Sequence, residues 1–174
     1  MASAPKVSTP SASAPNATTG AVFHNVMDRI GNTPMVEVSR LDSLKPGGRL
    51  IEATAGNTGL GLALVAAQKG YHLTLVVPDK MAQEKIFHLR ALGADVILTR
   101  SDVGKGHPEY YQDMALRIAG ETGAVFINQF GNPANPLAHE TTTGPEIWEQ
   151  MEHDVDAMVC GVGSGGTITG LSRF

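Results

Sequence analysis

Short apolar runs of strand length alternate with helix-length stretches along most of this chain, and that order leaves few folds open. Residues 50–54 (LIEAT) read as a strand, and 58–69 (TGLGLALVAAQK) as a helix stopped at Gly70. Residues 72–77 (HLTLVV) are a buried-strand run closed by Pro78. Residues 82–92 (AQEKIFHLRAL) put Ile86, Leu89 and Leu92 on one helical face, with Gly93 as the stop. The pattern continues with strand 96–99, helix 108–122 with Pro108 in its first turn, strand 124–128, helix 136–151 broken near Gly144-Pro145, and a fifth main strand at 155–160. Ahead of these, 25–30 reads as a short helix capped by Asn25, and 35–38 as an extended segment after the turn 31–34. Strands separated repeatedly by helices imply βαβ units, hence an α/β chain with a parallel sheet and flanking helices. Ligands of such sheets bind beyond the carboxyl ends of the strands. Two unusual loops fall there, 54–59 and 161–167.

The second of these loops, Gly163-Ser164-Gly165-Gly166-Thr167, follows a strand pattern and opens a helix. Glycines let the backbone approach an anion, successive N–H groups at a helix start point at it, and Ser164 and Thr167 add hydroxyl donors. That describes a phosphate cup, although a plain glycine-rich turn has the same spacing. It is not a P-loop, since no Gly-Lys-Ser/Thr follows, nor a dinucleotide fingerprint in register. The first loop, Thr54-Ala55-Gly56-Asn57-Thr58-Gly59, offers the N–H groups of another helix start as an anion site sized for a carboxylate. Asn57 has two readings, a helix cap or a reach towards a ligand oxygen. Together the loops suggest one pocket with a phosphate end and a carboxylate end.

Composition narrows the partners. A chain of 174 residues that is 42% hydrophobic and 17% charged has enough apolar surface for a core of one domain, or one and a fraction. Net charge is −4 with no basic run, which argues against nucleic acid or an anionic membrane surface as partner. No apolar stretch is long enough to span a bilayer. The single cysteine, Cys160, allows no intramolecular disulfide and fits a reducing, cytoplasmic setting; it reads as a buried, inert thiol. Residues 1–20 are Ala, Ser, Thr and Pro with one charge, Lys6, and read as a disordered tail without a signal h-region or the arginines of a transit peptide. The six histidines show no metal-ligand spacing, so no metal is expected, and Trp148 reads as packing.

Five stretches come in one order: Gly31-Asn32-Thr33-Pro34, EATAGNTGLGLALVAAQKGY, EKIFHLRALGADVILT, NQFGNPANPLAHETTTGPEIW and GVGSGGTITG. In that order they resemble the cysteine synthase and cystathionine β-synthase family of pyridoxal-phosphate enzymes, of fold type II (tryptophan-synthase-β-like), from about Asn25 to Phe174. The resemblance implies pyridoxal 5'-phosphate as cofactor, its phosphate held by Gly163, Ser164, Gly165, Gly166 and Thr167 and its ring oxygen by Asn57. It implies that Thr54, Gly56, Asn57 and Thr58 bind the substrate α-carboxylate, with Gln129 helping. The activity implied is β-replacement on serine or an activated serine, with homocysteine or sulfide as sulfur acceptor. Ala55 departs from the Ser or Thr usual in the family, which removes a hydroxyl near the substrate.

The resemblance also exposes a gap. The family carries its Schiff-base lysine after a Pro-Gly-Gly-Ser motif, between the Gly-Asn-Thr-Pro turn and the Thr-x-Gly-Asn-Thr-Gly loop; here Leu41-Asp42-Ser43 runs almost directly into Leu44-Lys45-Pro46-Gly47-Gly48. Glu52-Ala53-Thr54 marks that Pro-Gly-Gly as the family's second one, and Arg49, not lysine, follows it. Arginine stays protonated and cannot form the imine, so no catalytic residue is assigned and Lys45 reads as a solvated loop lysine. The resulting expectation is a tail (1–20), an N-terminal segment of the large domain with an internal deletion (21–49), a small α/β domain (50–150) and the start of a truncated, incomplete second domain (151–174). A full fold would be a homodimer acting on a small amino acid. The alternative is a non-catalytic fragment or subunit-interaction remnant.

Overall fold

The computed structural model describes residues 44–54 and 56–174. The readings of 1–20, 25–30 and 35–38, the turn 31–34 and the departure at Ala55 lie outside the described residues.

Among the described residues there are four strands and six α-helices, and strand and helix alternate as expected as far as the fourth strand. Strand β1 is Arg49–Ala53, helix α1 is Asn57–Lys69, β2 is His72–Pro78, α2 is Gln83–Ala91 and β3 is Asp95–Thr99. Helix α3, Tyr111–Thr122, leads to a two-residue strand β4, Val125–Phe126. The strands form one sheet in the order β3-β2-β1-β4, every pairing parallel. The chain therefore moves outward from β1 to β3, then returns across the sheet to place β4 on the other side of β1.

Side-chain alternation sorts the helices onto the two faces. Ile51, Ala53 and Val76 cluster with Ala115 and Ala119 of α3. On the opposite face Gly59 of α1 lies against Leu75 of β2 and Leu89 of α2. Leu50, Leu73, Leu75, Ile86 and Leu89 are sealed from solvent on that side. Gly70 closes α1 in the left-handed region at φ 69°, where a side chain would be strained.

Several expectations need correction. Residues 155–160 form no strand: a strand needs a ladder partner, none of the described strands runs beside this segment, and Val159 is 98% exposed. Pro108 sits in the turn before α3 and not in its first turn, because that helix starts at Tyr111. The helix expected at 136–151 does not break at Gly144-Pro145. Helix α4, Ala134–Ala138, runs through a π turn at His139–Thr143 directly into α5, Gly144–Gln150. In the wider turn the Gly144 N–H donates to the His139 carbonyl five residues back, just ahead of Pro145, which has no N–H to give. Trp148 is 40% exposed and packs partly, with its ring 5.4 Å from that of His153, while Cys160 is half-buried where a buried thiol was expected. Helix α6, Gly166–Arg173, begins directly after the glycine loop, as the sequence predicts.

Candidate functional site

In this strand order, β1 is the switch point: β2 is reached in one direction and β4 in the other. Loops leaving the carboxyl ends of the two strands at such a point diverge and open a crevice. The loop after β1 is Thr54 to Gly56; the loop after β4 starts at Ile127 and includes Gln129.

Thr54 is buried, and its hydroxyl accepts the Gly56 N–H at 3.2 Å, which folds the loop back on itself. Gly56 occupies the cap position of α1 without a side-chain cap bond, so Asn57 is the first helical residue and does not cap. Asn57 is exposed. Thr58, one residue on, donates its hydroxyl to Gln129 Oε1 at 2.7 Å, bridging the two sides of the crevice.

Beneath the bridge lies Glu52, fully buried at the end of β1. Its carboxylate accepts the Ala53 N–H at 2.9 Å and the Gln129 N–H at 3.3 Å. Burial pushes this carboxyl above the usual range, while the N–H groups of Ala53, Gln129 and Asn128 pull it back. Asn128, on the same segment, holds a left-handed backbone at φ 54° and receives the N–H groups of Gly131 and Asn132 on its carbonyl.

From Gln129 the connection runs on to the second loop. The buried Asn135 donates through Nδ2 to the Gln129 carbonyl and to Ser164 Oγ, both at 2.9 Å. Gly165 has φ 82° and caps α6. Gly166 is pressed so closely on the Asn135 amide that a Cβ would collide with it. Thr167 shares a hydrogen bond with His139 Nε2 at 3.2 Å, and His139 Nδ1 meets Thr143 Oγ1 at 3.0 Å. Burial lowers the His139 pKa, which keeps the ring neutral at neutral pH. A cleft of about 170 Å³ lies between the segment after β4 and the glycine turn, lined by Gln129, Asn132, Asn135, Ser164, Gly165 and Gly166 among others; none of the described residues of the 54–59 loop lines it.

The structure thus brings Thr58, Gln129, Ser164, Gly165 and Gly166 into one connected arrangement, with Thr54, Gly56 and Thr167 attached to it. Of the expected site residues, Gln129, Ser164, Gly165 and Gly166 line the cleft, whereas Thr54, Gly56, Asn57, Thr58, Gly163 and Thr167 do not. Sequence reading missed Glu52, Asn135 and His139. The available signal was a polar residue at the end of an apolar strand, and polar side chains crowded between two ligand-type loops. Lys45 is exposed in the turn leading into β1, where its carbonyl accepts the Gly48 N–H at 2.9 Å. The five residues of β1, about 17 Å at strand rise, separate that turn from the loops. Among the described residues no lysine lines the cleft.

The cleft fits a phosphorylated ligand: an open glycine turn, a left-handed cap and a helix start provide N–H donors, and a hydroxyl stands beside them. Residues 28–174 match the family model described as pyridoxal-phosphate dependent enzyme. The chain is 46% identical over 150 residues to cysteine synthase B of Escherichia coli, covering 86% of this chain and 48% of that protein. It is 45% identical to cystathionine beta-synthase of Dictyostelium discoideum over 86% of this chain and 30% of that one. Against cysteine synthase A of Escherichia coli the figures are 44%, 86% and 46%. The chain spans about half the length, or less, of these curated relatives. On a match of this extent, the chain belongs to the pyridoxal-phosphate dependent enzyme family.

Proposed function

We propose that this chain carries the phosphate and carboxylate halves of a site for β-replacement on serine or an activated serine, of the cysteine synthase or cystathionine β-synthase kind. The observation that carries the reading is the run of hydrogen bonds from Thr58 through Gln129 and Asn135 to Ser164, which ties the two anion-type loops to one segment, 129–135. In it the Gly163–Thr167 turn holds a phosphate on backbone N–H groups and hydroxyls. Thr54, Gly56, Asn57 and Thr58 receive the amino acid's carboxylate at the start of α1, with Gln129 across from them. Asn57, exposed at the start of α1, would reach the ring oxygen of the cofactor. Bound pyridoxal phosphate supplies an electron sink for negative charge at the substrate α-carbon. Glu52 keeps the Gln129 backbone seated, and the neutral His139 holds the Thr167 hydroxyl in place.

The same reading makes this chain an impaired enzyme. A lysine at the family's anchoring position is missing from the sequence, and the cleft has none in its lining. The cofactor is then held without a covalent link, and no side chain at hand takes the α-proton. A homodimer and a cytoplasmic setting complete the proposal; the lone cysteine supports the second.

Absorbance titration with pyridoxal phosphate, followed by borohydride and peptide mass mapping, tests this. The expected result is saturable binding that borohydride does not fix to any lysine. A fixed adduct on one lysine, with turnover of an activated serine, contradicts the impaired reading. Absence of any binding contradicts the site.

A further inference from the structure

We infer that Asn135 is a positioning residue that turns Ser164 into an obligate donor towards a bound phosphate; the inference rests on the phosphate reading of the Gly163–Thr167 turn. The argument starts from the orientation of the Asn135 amide. The Gln129 backbone carbonyl can only accept a hydrogen bond, so the group 2.9 Å from it must be the amide nitrogen. That nitrogen also stands 2.9 Å from Ser164 Oγ, so its second hydrogen goes to the hydroxyl oxygen.

A serine hydroxyl has two acceptor lone pairs and one hydrogen to donate. Asn135 occupies one lone pair, and the Gly166 N–H, at 3.4 Å, faces the other. Among the described residues no acceptor takes the Ser164 hydrogen. With both lone pairs directed into the protein, the O–H is left to point away from it, into the cleft that Ser164 lines. A group that must donate favours an anion and rejects a ligand that itself needs an acceptor.

The arrangement is held against relaxation. Asn135 is buried, at 8% exposure, and a Cβ on Gly166 would strike its amide. The side chain therefore has no room to swing while the helix stays where it is. Because the same nitrogen grips Gln129, the phosphate end of the cleft is set relative to the segment that Thr58 and Glu52 hold from the other side.

The test is a double-mutant cycle on the full chain with Asn135→Ala and Ser164→Ala, read as affinity for pyridoxal phosphate and, as a phosphate-free control, for pyridoxal. Each single substitution is expected to weaken pyridoxal phosphate by about tenfold, the low end for a hydrogen bond to an ionised group, and to leave pyridoxal nearly unchanged. The double variant is expected to be no worse than the weaker single one, because Asn135 acts through Ser164. Independent losses that multiply to about a hundredfold, or equal weakening of pyridoxal, overturn the inference alone. An unsubstituted chain that does not prefer pyridoxal phosphate to pyridoxal overturns it together with the phosphate reading. Should the alanine variant lose its circular dichroism, Asn135→Leu keeps nearly the side-chain volume, cannot donate, carries no charge to repel a phosphate, and enters the same cycle with the same expected outcomes.

Discussion

A carboxylate with no solvent contact, Glu52, sits under the crevice on two backbone N–H groups. Burial is the larger influence and raises its pKa, so the folded chain binds this proton more tightly than the unfolded one. Stability from this residue is therefore present at low pH. It falls as pH rises from the ordinary glutamate range, about 4.3, through the raised folded value, and is level above that. Glu52→Gln should remove this fall in urea-unfolding free energies measured across that range. It should also cost about 1–3 kcal/mol, since glutamine offers one acceptor oxygen where two N–H groups need one each. An unchanged pH slope would show that Glu52 does not titrate there. Thr58→Val keeps the shape but removes the donor to Gln129 Oε1; a loss of about 1 kcal/mol in the same assay is expected. Thr58 and Gln129 were identified from their place in motifs. Glu52 and Asn135 were not, because their importance comes from which backbone groups meet them in space, and residue type alone does not carry that.

Among the elements, strands bounded by glycine and proline were legible because their apolar runs had only one fitting length. Residues 155–160 have the same apolar character yet form no strand. Hydropathy reports the tendency to be buried, whereas a strand also needs a neighbour's N–H and C=O groups, and these lie elsewhere in the sequence or not among the described residues. The π turn between α4 and α5 was equally hidden, since Pro145 shows that a bond is missing but not how the helix adjusts. Helix α6 packs on α4 and the π turn through Gly170. A Cβ there would collide with the Pro136 carbonyl oxygen and lie 2.8 Å from the Glu140 nitrogen. Alanine favours a helix over glycine by about 1 kcal/mol. Backbone atoms cannot rotate aside, however, and overpacking of this kind costs about 1–3 kcal/mol or more. The clash should win: Gly170→Ala is expected to lower the thermal midpoint and weaken pyridoxal phosphate binding together, because the glycine turn rides on α6. A raised midpoint would contradict the close packing.

For the molecule as a whole, the sheet order decides where chemistry can occur. The outward run from β1 to β3 and the return to β4 bring the β1 and β4 loops side by side, and α6 carries the glycine turn to the segment after β4, where the cleft opens. The alternation of strands and helices was enough to read a parallel sheet and to expect ligands at its carboxyl ends. It did not give the strand order, because β4 is only two residues long and its place beside β1 depends on long-range pairing. Amide hydrogen exchange of the full chain with and without pyridoxal phosphate tests most directly whether the two loops make one site. The expected result is slower exchange at residues 54–60, 127–131 and 163–168 together, with helix α2 unchanged. Protection of one loop alone, or of neither, would contradict a shared site.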